Sequence, residues 1–268
     1  MGKVLIINYD LCNGCYNCQI ACKDEHVAND WTPIAKPQPL SGHFWLSIDY
    51  FVRGTVPKVK VETIPIPCMH CDNATCIGSC PVEAIYRRDD GLVIIDPVKC
   101  IGCRNCLHTD ACAYGVIYFN EDLNIAQKCT GCAHLLDNGW TETRCADACP
   151  TEALKFGEES DLDISGAEIL HPEYGLDARV HYKNLPKKFI AGTVFDSAAD
   201  EVVIGATCTL SGDGSATATT DEFGDFWFEG LAEGTFSLDI AATGYTTKTI
   251  DSISTATADI NLGDIDLA

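Results

Sequence analysis

No stretch of the 268-residue sequence stays apolar for the ~20 residues a membrane-spanning helix needs, so no membrane anchor is expected in this chain. Basic charge is scarce: 18 Lys and Arg stand against 39 Asp and Glu, a net charge of −21. Nucleic acid demands a basic face, and an anionic membrane surface would repel such a chain, so neither is expected as a partner. The acidity reads first as solubility. The first ten residues lack the basic region, long apolar stretch and small-residue cleavage site of a secretory signal. A cytoplasmic location is therefore expected, unless a partner chain carries this one elsewhere. Also missing are a phosphate-cradling glycine loop, a dinucleotide fingerprint and a nucleophile–base constellation, and the seven histidines are scattered. No catalytic residue is expected here. Beyond residue 149 cysteine is nearly absent, with Cys208 alone.

What is present is cysteine, 17 in all, and sixteen of these fall before residue 150 in four groups of four. Cys68, Cys71, Cys76 and Cys80 precede Pro81, and Cys100, Cys103, Cys106 and Cys112 follow. Outside this pair lie Cys12, Cys15, Cys18 and Cys22 on one side, and Cys129, Cys132, Cys145 and Cys149, then Pro150, on the other. Disulfides would need an oxidising compartment, against which the missing signal argues. Zinc favours two pairs of ligands on separate knuckles. Groups with three cysteines inside seven residues suit a [4Fe-4S] cubane better, and the chain reads as iron–sulfur protein.

In a two-cluster ferredoxin the distal cysteine of each group crosses to the partner cluster. The second and third groups are close in sequence and form an inner unit; the first and fourth form an outer unit nested around it. The expected ligand sets are Cys12, Cys15, Cys18 and Cys149; Cys22, Cys129, Cys132 and Cys145; Cys80, Cys100, Cys103 and Cys106; and Cys68, Cys71, Cys76 and Cys112. The last set departs from the usual pattern. Five residues, Leu107 to Ala111, separate Cys106 from Cys112 where three are customary, and no proline follows. Either the loop bulges and delivers Cys112, or that cluster is lost, so three or four clusters are expected. His108 or Asp110 is a substitute ligand in the second case, against the simpler reading of solvated loop residues. His70 reads as a structural hydrogen-bonder rather than a ligand. Lys99 and Lys128 each precede a cysteine group and are either charge-offsetting cations or ordinary solvated lysines.

The connections are read more coarsely. Val4 to Ile7 is a short strand, Pro81 to Ile85 a helix, Gly91 to Asp96 a hairpin strand, and Val116 to Phe119 another strand. The insertion 23–67 holds a strand over 44–52, paired with Val59–Val61 across Arg53-Gly54 and Pro57. Its Trp and Phe residues either mark a partner contact or shield the clusters from water. The gap between Cys132 and Cys145 has room for a short helix around Leu135-Leu136. Thr151 to Leu154 continues a helix after the last group, and the rest of 151–189 reads as linker.

From Phe189 the composition turns to Thr, Ala, Gly and Asp, and residues 190–268 hold fourteen acids against one lysine, Lys248. Strands are expected at 190–195, 201–210, 214–219, 225–229, 234–241, 246–252 and 257–263, with turn signals between them. Ile204, Ala206, Cys208 and Leu210 share one face, Phe226 and Phe228 another, and Cys208 reads as a buried free thiol. The fold class is therefore α+β: two nested bacterial-ferredoxin-like units over 1–188 (outer 1–30 with 125–155, inner 66–115), then an all-β antiparallel sandwich or barrel of about seven strands over 189–268.

Cys100-Ile101-Gly102-Cys103, Lys128-Cys129-Thr130-Gly131-Cys132 and Ala148-Cys149-Pro150-Thr151-Glu152-Ala153, in the four-group order, resemble the iron–sulfur subunits of the dimethyl sulfoxide reductase family. The likeness covers residues 3–188. It implies a wire docked on a large catalytic subunit, which carries molybdenum or tungsten on two pterin guanine dinucleotides. Gly192-Thr193-Val194, Thr220 to Phe226, Gly234 to Leu238 and Gly244-Tyr245 resemble carboxypeptidase-regulatory-like and collagen-adhesin B-type sandwiches. Some adhesin modules close a lysine–asparagine crosslink, but the first strand here has no lysine and none is expected. Two other readings stand beside the wire: a free polyferredoxin, and a sandwich binding module whose clusters are structural.

Overall fold

The computed structural model describes residues 2–268, which divide into two compact units: residues up to Asp49 with Thr63–Leu185, and Tyr50–Glu62 with Pro186–Ala268. In chain order the first unit is built from β1 (Lys3–Asn8), α1 (Asn17–Val27), the base of the hairpin of β2 (Leu46–Thr55) and β3 (Lys58–Pro67), and a single helical turn α2 (Thr75–Gly78). The hairpins β4 (Ile85–Arg87) with β5 (Val93–Ile95) and β6 (Tyr118–Asn120) with β7 (Ile125–Gln127) follow. The short helices α3 (Ala133–Asp137) and α4 (Arg144–Asp147) and the strands β8 (Leu154–Glu158) and β9 (Val180–Lys183) complete it. No helix among the described residues is long and apolar enough to cross a membrane.

β1 is the middle strand of a three-stranded sheet, antiparallel to β8 and parallel to β9. That position explains its uninterrupted apolar run, because a strand flanked on both sides and covered on both faces has no polar face to show; Val4 to Ile7 are all buried. α1 carries Cys18, Cys22 and His26 at steps of four, which places all three on one buried stripe. Trp45 is buried and packs with Leu5, Ile7, Cys18 and Cys22, so this insertion residue shields the cysteine-rich core.

Several local expectations are corrected. Residues 81–84 form a turn, not a helix; the helical turn comes earlier, at α2, before Cys80. Thr151 to Ala153 likewise turn into β8, and the helix is α4, before Cys149. In both places proline follows the last cysteine and helical geometry stops there. The third strand starts at Tyr118 rather than Val116. The presumed linker contains β9, whose Tyr182 is fully buried with its hydroxyl donating to the Pro65 carbonyl at 2.9 Å.

The second unit is a two-sheet sandwich built from β10 (Lys188–Asp196), β11 (Glu201–Val202), β12 (Thr207–Gly212), β13 (Ala216–Thr219), β14 (Asp225–Leu231), β15 (Thr235–Ala241), β16 (Lys248–Ser254) and β17 (Ile260–Asp266). One sheet centres on β10, which pairs with β11, β14 and β17; the other runs β13-β12-β15-β16. The inner faces meet in a core of Ile190, Val194, Phe226 and Phe228 against Cys208, Leu210, Phe236, Leu238 and Ile240. Each such side chain contributes roughly 1.5–3 kcal/mol on burial. Three expectations change. The stretch 201–210 is two strands, because Gly205 takes a left-handed φ of +75° between them, and Ile204 is therefore exposed. Eight strands form two open sheets, where a sandwich or barrel of about seven was expected. The sandwich is also not purely antiparallel, since β17 runs parallel to β10.

The hairpin tip belongs to this second unit, not to the cysteine-rich one. Its basic side chains meet the acidic sandwich: Lys58 pairs with Asp225, and Lys60 with Glu229 at 2.5 Å. Arg53 forks onto Asp259 at 2.7 and 2.9 Å and reaches Glu62 at 3.3 Å.

Candidate metal centres

The backbone around three cysteine groups repeats one device. In Cys12-Asn13-Gly14-Cys15, Cys100-Ile101-Gly102-Cys103 and Cys129-Thr130-Gly131-Cys132 the glycine before the second cysteine has a left-handed φ of +65°, +71° and +59°. The loop thereby curls so that successive thiols face inward. At Gly102 a side chain is also excluded by space, because a Cβ would lie 2.5 Å from the Asn124 carbonyl oxygen. The remaining group, Cys68-Met69-His70-Cys71, places His70 at that position with φ +46°.

The thiols collect as follows. Cys80, Cys100, Cys103 and Cys106 line one cavity, closed by Ile85, Ile95 and Ala126. Cys68, Cys71, Cys76 and Cys112 line a second, with His70 and Val93. Cys112 reaches it because Ala111 and Cys112 both donate their N–H to the His108 carbonyl at 2.9 Å, a turn that takes up the longer spacing. His108 and Asp110 stay exposed and do not line the cavity. Cys22, Cys129, Cys132 and Cys145 line a third cavity, together with Cys68, His26 and His70. Cys12, Cys15 and Cys149 are the thiols that surround Cys18.

Burial, reinforced by neighbouring thiols, pushes Cys18, Cys71, Cys106 and Cys129 up to about 12. Cys22 and Cys132 are raised well above the ordinary thiol range for the same reason. Cys149 moves the other way. Burial raises it, but N–H groups of Leu154, Thr151 and Ala153 and the Thr151 hydroxyl together outweigh burial. Thiols packed in this way ionise only beside strong positive charge, which iron supplies on binding as protons leave.

Donors already point at the sulfurs. Ala84 N–H lies 3.3 Å from Cys80 Sγ, Gly131 N–H 3.4 Å from Cys129 Sγ, and Arg144 N–H 3.4 Å from Cys132 Sγ. Such bonds stabilise thiolate and tune cluster potential. No three His, Cys, Asp or Glu side chains among the described residues converge tightly enough to hold one metal ion. A tetrahedral zinc site needs sulfurs about 2.3 Å from a single point. Three of the cavities are each lined by a set of four cysteines, the ligand number of a [4Fe-4S] cubane.

Two residues separate on inspection of burial. Lys99 is exposed, an ordinary solvated lysine. Lys128 is buried, and its ammonium donates to the carbonyls of Val93 and, at 3.1 Å, of Cys129. His70 is buried and accepts the Val93 N–H on Nδ1 at 2.9 Å. Burial, then Lys128 and Arg87, hold its basicity well below the usual histidine value. The sequence signal for His70 is its place in the cysteine loop, where the other three groups have glycine. His26 offers only its helical spacing from Cys18 and Cys22.

Comparisons with known proteins agree with this geometry. The 4Fe-4S dicluster domain matches residues 59–159, and the carboxypeptidase regulatory-like domain matches residues 190–268. The small subunit of pyrogallol hydroxytransferase from Pelobacter acidigallici is 40% identical over 255 residues, 90% of each chain. A subunit of the sulfite dehydrogenase of Allochromatium vinosum is 31% identical over 69% of this chain and 82% of its own. The iron–sulfur subunit of the arsenate respiratory reductase of a Shewanella species is 30% identical over 66% of this chain and 94% of its own. With four cysteine groups, a dicluster domain and relatives of this identity and coverage, the chain belongs to the iron–sulfur subunits of the dimethyl sulfoxide reductase family.

Proposed function

We propose that this chain is the electron-transfer subunit of a heteromeric molybdopterin enzyme and holds four [4Fe-4S] clusters on the four cysteine sets gathered above. Each bound cubane would take up and release one electron. The observation that carries the reading is the convergence of distant cysteines: Cys22 with Cys129, Cys132 and Cys145, and Cys80 with Cys100, Cys103 and Cys106, on cavities that nothing else in the sequence would require. The sets also form a sequence. Cys18 of the first set shares one buried core with Cys22 and Cys145 of the second. Cys68 lines two of the cavities, and Cys76, within the single turn α2, is followed just beyond that turn by Cys80 of the last set. The order would then be Cys12/15/18/149, Cys22/129/132/145, Cys68/71/76/112, Cys80/100/103/106. Its two ends carry the exposed cysteines, Cys15 and Cys103. Electrons would enter and leave there, with the middle sets shielded.

The partner is proposed to be a large subunit with molybdenum on two pterin guanine dinucleotides, and its reaction a hydroxyl transfer between trihydroxybenzenes. The likeness to the hydroxytransferase subunit supports this choice because it runs over 90% of this chain, against 69% for the sulfite dehydrogenase relative. Such a transfer is redox-neutral overall, so the clusters would set the oxidation state of the partner's metal. Anaerobic isolation tests the proposal. Iron and acid-labile sulfide should each come to about 16 per chain at four per cubane, a large molybdenum-bearing chain should co-purify, and the complex should convert pyrogallol to phloroglucinol. A colourless, iron-free chain would sink the electron-transfer reading. An active complex that reduces or oxidises another substrate but ignores pyrogallol would sink the hydroxytransferase reading.

A further inference from the structure

Cys68 and His70 both line the two inner cavities, and of the pair only His70 is not a cluster ligand. Its ring orientation is fixed from one side. Val93 donates its N–H to Nδ1 at 2.9 Å, so Nδ1 carries a lone pair and the ring proton sits on Nε2. Val93 is itself held, because its carbonyl accepts from the buried Lys128 ammonium. Nε2 is buried and has no hydrogen-bond partner in the protein. A buried donor left unpaired costs about 1–3 kcal/mol, so this N–H calls for an acceptor from outside the polypeptide. His26, on the wall of the larger cavity, has the opposite arrangement. Its Nδ1–H donates to the Cys22 carbonyl at 2.9 Å, and its unpartnered Nε2 is a lone pair. Histidine as such is therefore not what the cavity wall requires. Thr130, whose Oγ1 has no hydrogen-bond partner, also lines the larger cavity, and a donor of this kind suits an electron-rich occupant.

We propose that His70 donates Nε2–H to a sulfur of a cluster bound in one of the two cavities it borders, and so raises that cluster's reduction potential as a positioning residue between the inner pair. The inference rests on the four-cluster reading above. A hydrogen bond to cluster sulfur favours the reduced, more negative state. Losing it should therefore lower the potential of one inner cluster and leave both terminal clusters unchanged.

The backbone supplies the variant. Glycine occupies the corresponding site in the other three cysteine loops, all at left-handed φ, so His70→Gly removes the donor without straining the chain. His70→Gln restores an N–H of similar reach. The intact complex of each variant is titrated anaerobically, and the reduced clusters are followed by electron paramagnetic resonance. In His70→Gly one inner signal should shift to lower potential, by roughly threefold to tenfold in the reduction equilibrium constant, the upper end being about 59 mV for one electron. His70→Gln should recover most of that shift. Which signal moves identifies the cavity that receives the bond. A fully iron-loaded His70→Gly complex with all four potentials unmoved overturns the proposal, as does an equal shift in His70→Gln. Wild-type complex lacking iron would instead overturn the cluster reading itself, and iron analysis separates the two cases.

Discussion

The histidines beside the cysteines show how a residue's burial becomes a property of the whole protein. His26 is buried against Trp45 and His134. Burial lowers its pKa to about 4, the Cys22 carbonyl opposing the change and His134 adding to it. The unfolded chain takes up a proton near 6.5 and the folded chain does so only near 4. Between those values the unfolded state binds more protons, so stability falls as pH falls, by on the order of 3 kcal/mol in all. His26→Asn retains a donor for the Cys22 carbonyl and cannot titrate. Denaturant midpoints measured anaerobically from pH 7.5 to pH 4.5 should fall less steeply in His26→Asn than in the wild type; parallel curves would refute the assignment. His70 is depressed in the same direction, so part of the slope should remain in the variant.

At the scale of elements, the cysteine-bearing segments are short because their job is local. One turn of helix, as in α2 or α4, spans most of the step between Cys76 and Cys80 or between Cys145 and Cys149, which serve different sets. The hairpin β2–β3 is organised by longer reach. Its tip is held in the second unit by Arg53, whose planar fork matches the Asp259 carboxylate with two bonds, while Asp259 also accepts the Phe189 N–H at 2.9 Å. Lysine cannot reproduce a fork. Arg53→Lys should cost the second unit about 1–2 kcal/mol, seen as an earlier loss of sandwich structure in urea with iron content unchanged. Unfolding indistinguishable from wild type would show that Asp259 is satisfied without the fork.

For the whole molecule, the two units keep separate cores. The core around Leu5, Ile7, Trp45 and Tyr182 and the cysteine sets all lie within residues up to 49 and 63–185, and the sandwich core lies within 190–267. Deleting residues 190–268 should therefore leave about 16 irons per chain at four per cubane. Lys58 and Lys60 would lose their acidic partners and Arg53 its fork onto Asp259, and exposed Tyr50, Phe51 and Val52 would be joined by newly uncovered apolar surface, so solubility should drop. A truncated chain that loses its iron would mean that the sandwich supports the clusters.

How much of this was legible in the amino-acid order depends on the range of the interaction. Cysteine spacing, the glycines between cysteines and the alternation along β12 or β15 act over a few residues, and from them the sequence alone pointed to iron–sulfur chemistry and to most of the strands of the second unit. The helix expected after each proline was misplaced because the proline ends a turn that begins before the last cysteine. What only the tertiary structure decided lies at long range: β9 beside β1, β17 parallel to β10, the hairpin tip assigned to the sandwich, and Lys128 buried while Lys99 is not. Each depends on which distant backbone or carboxylate closes on the residue. His70 belongs to both accounts. Its place in the loop is written in the sequence, but the direction of its proton is set by the N–H of Val93, twenty-three residues away.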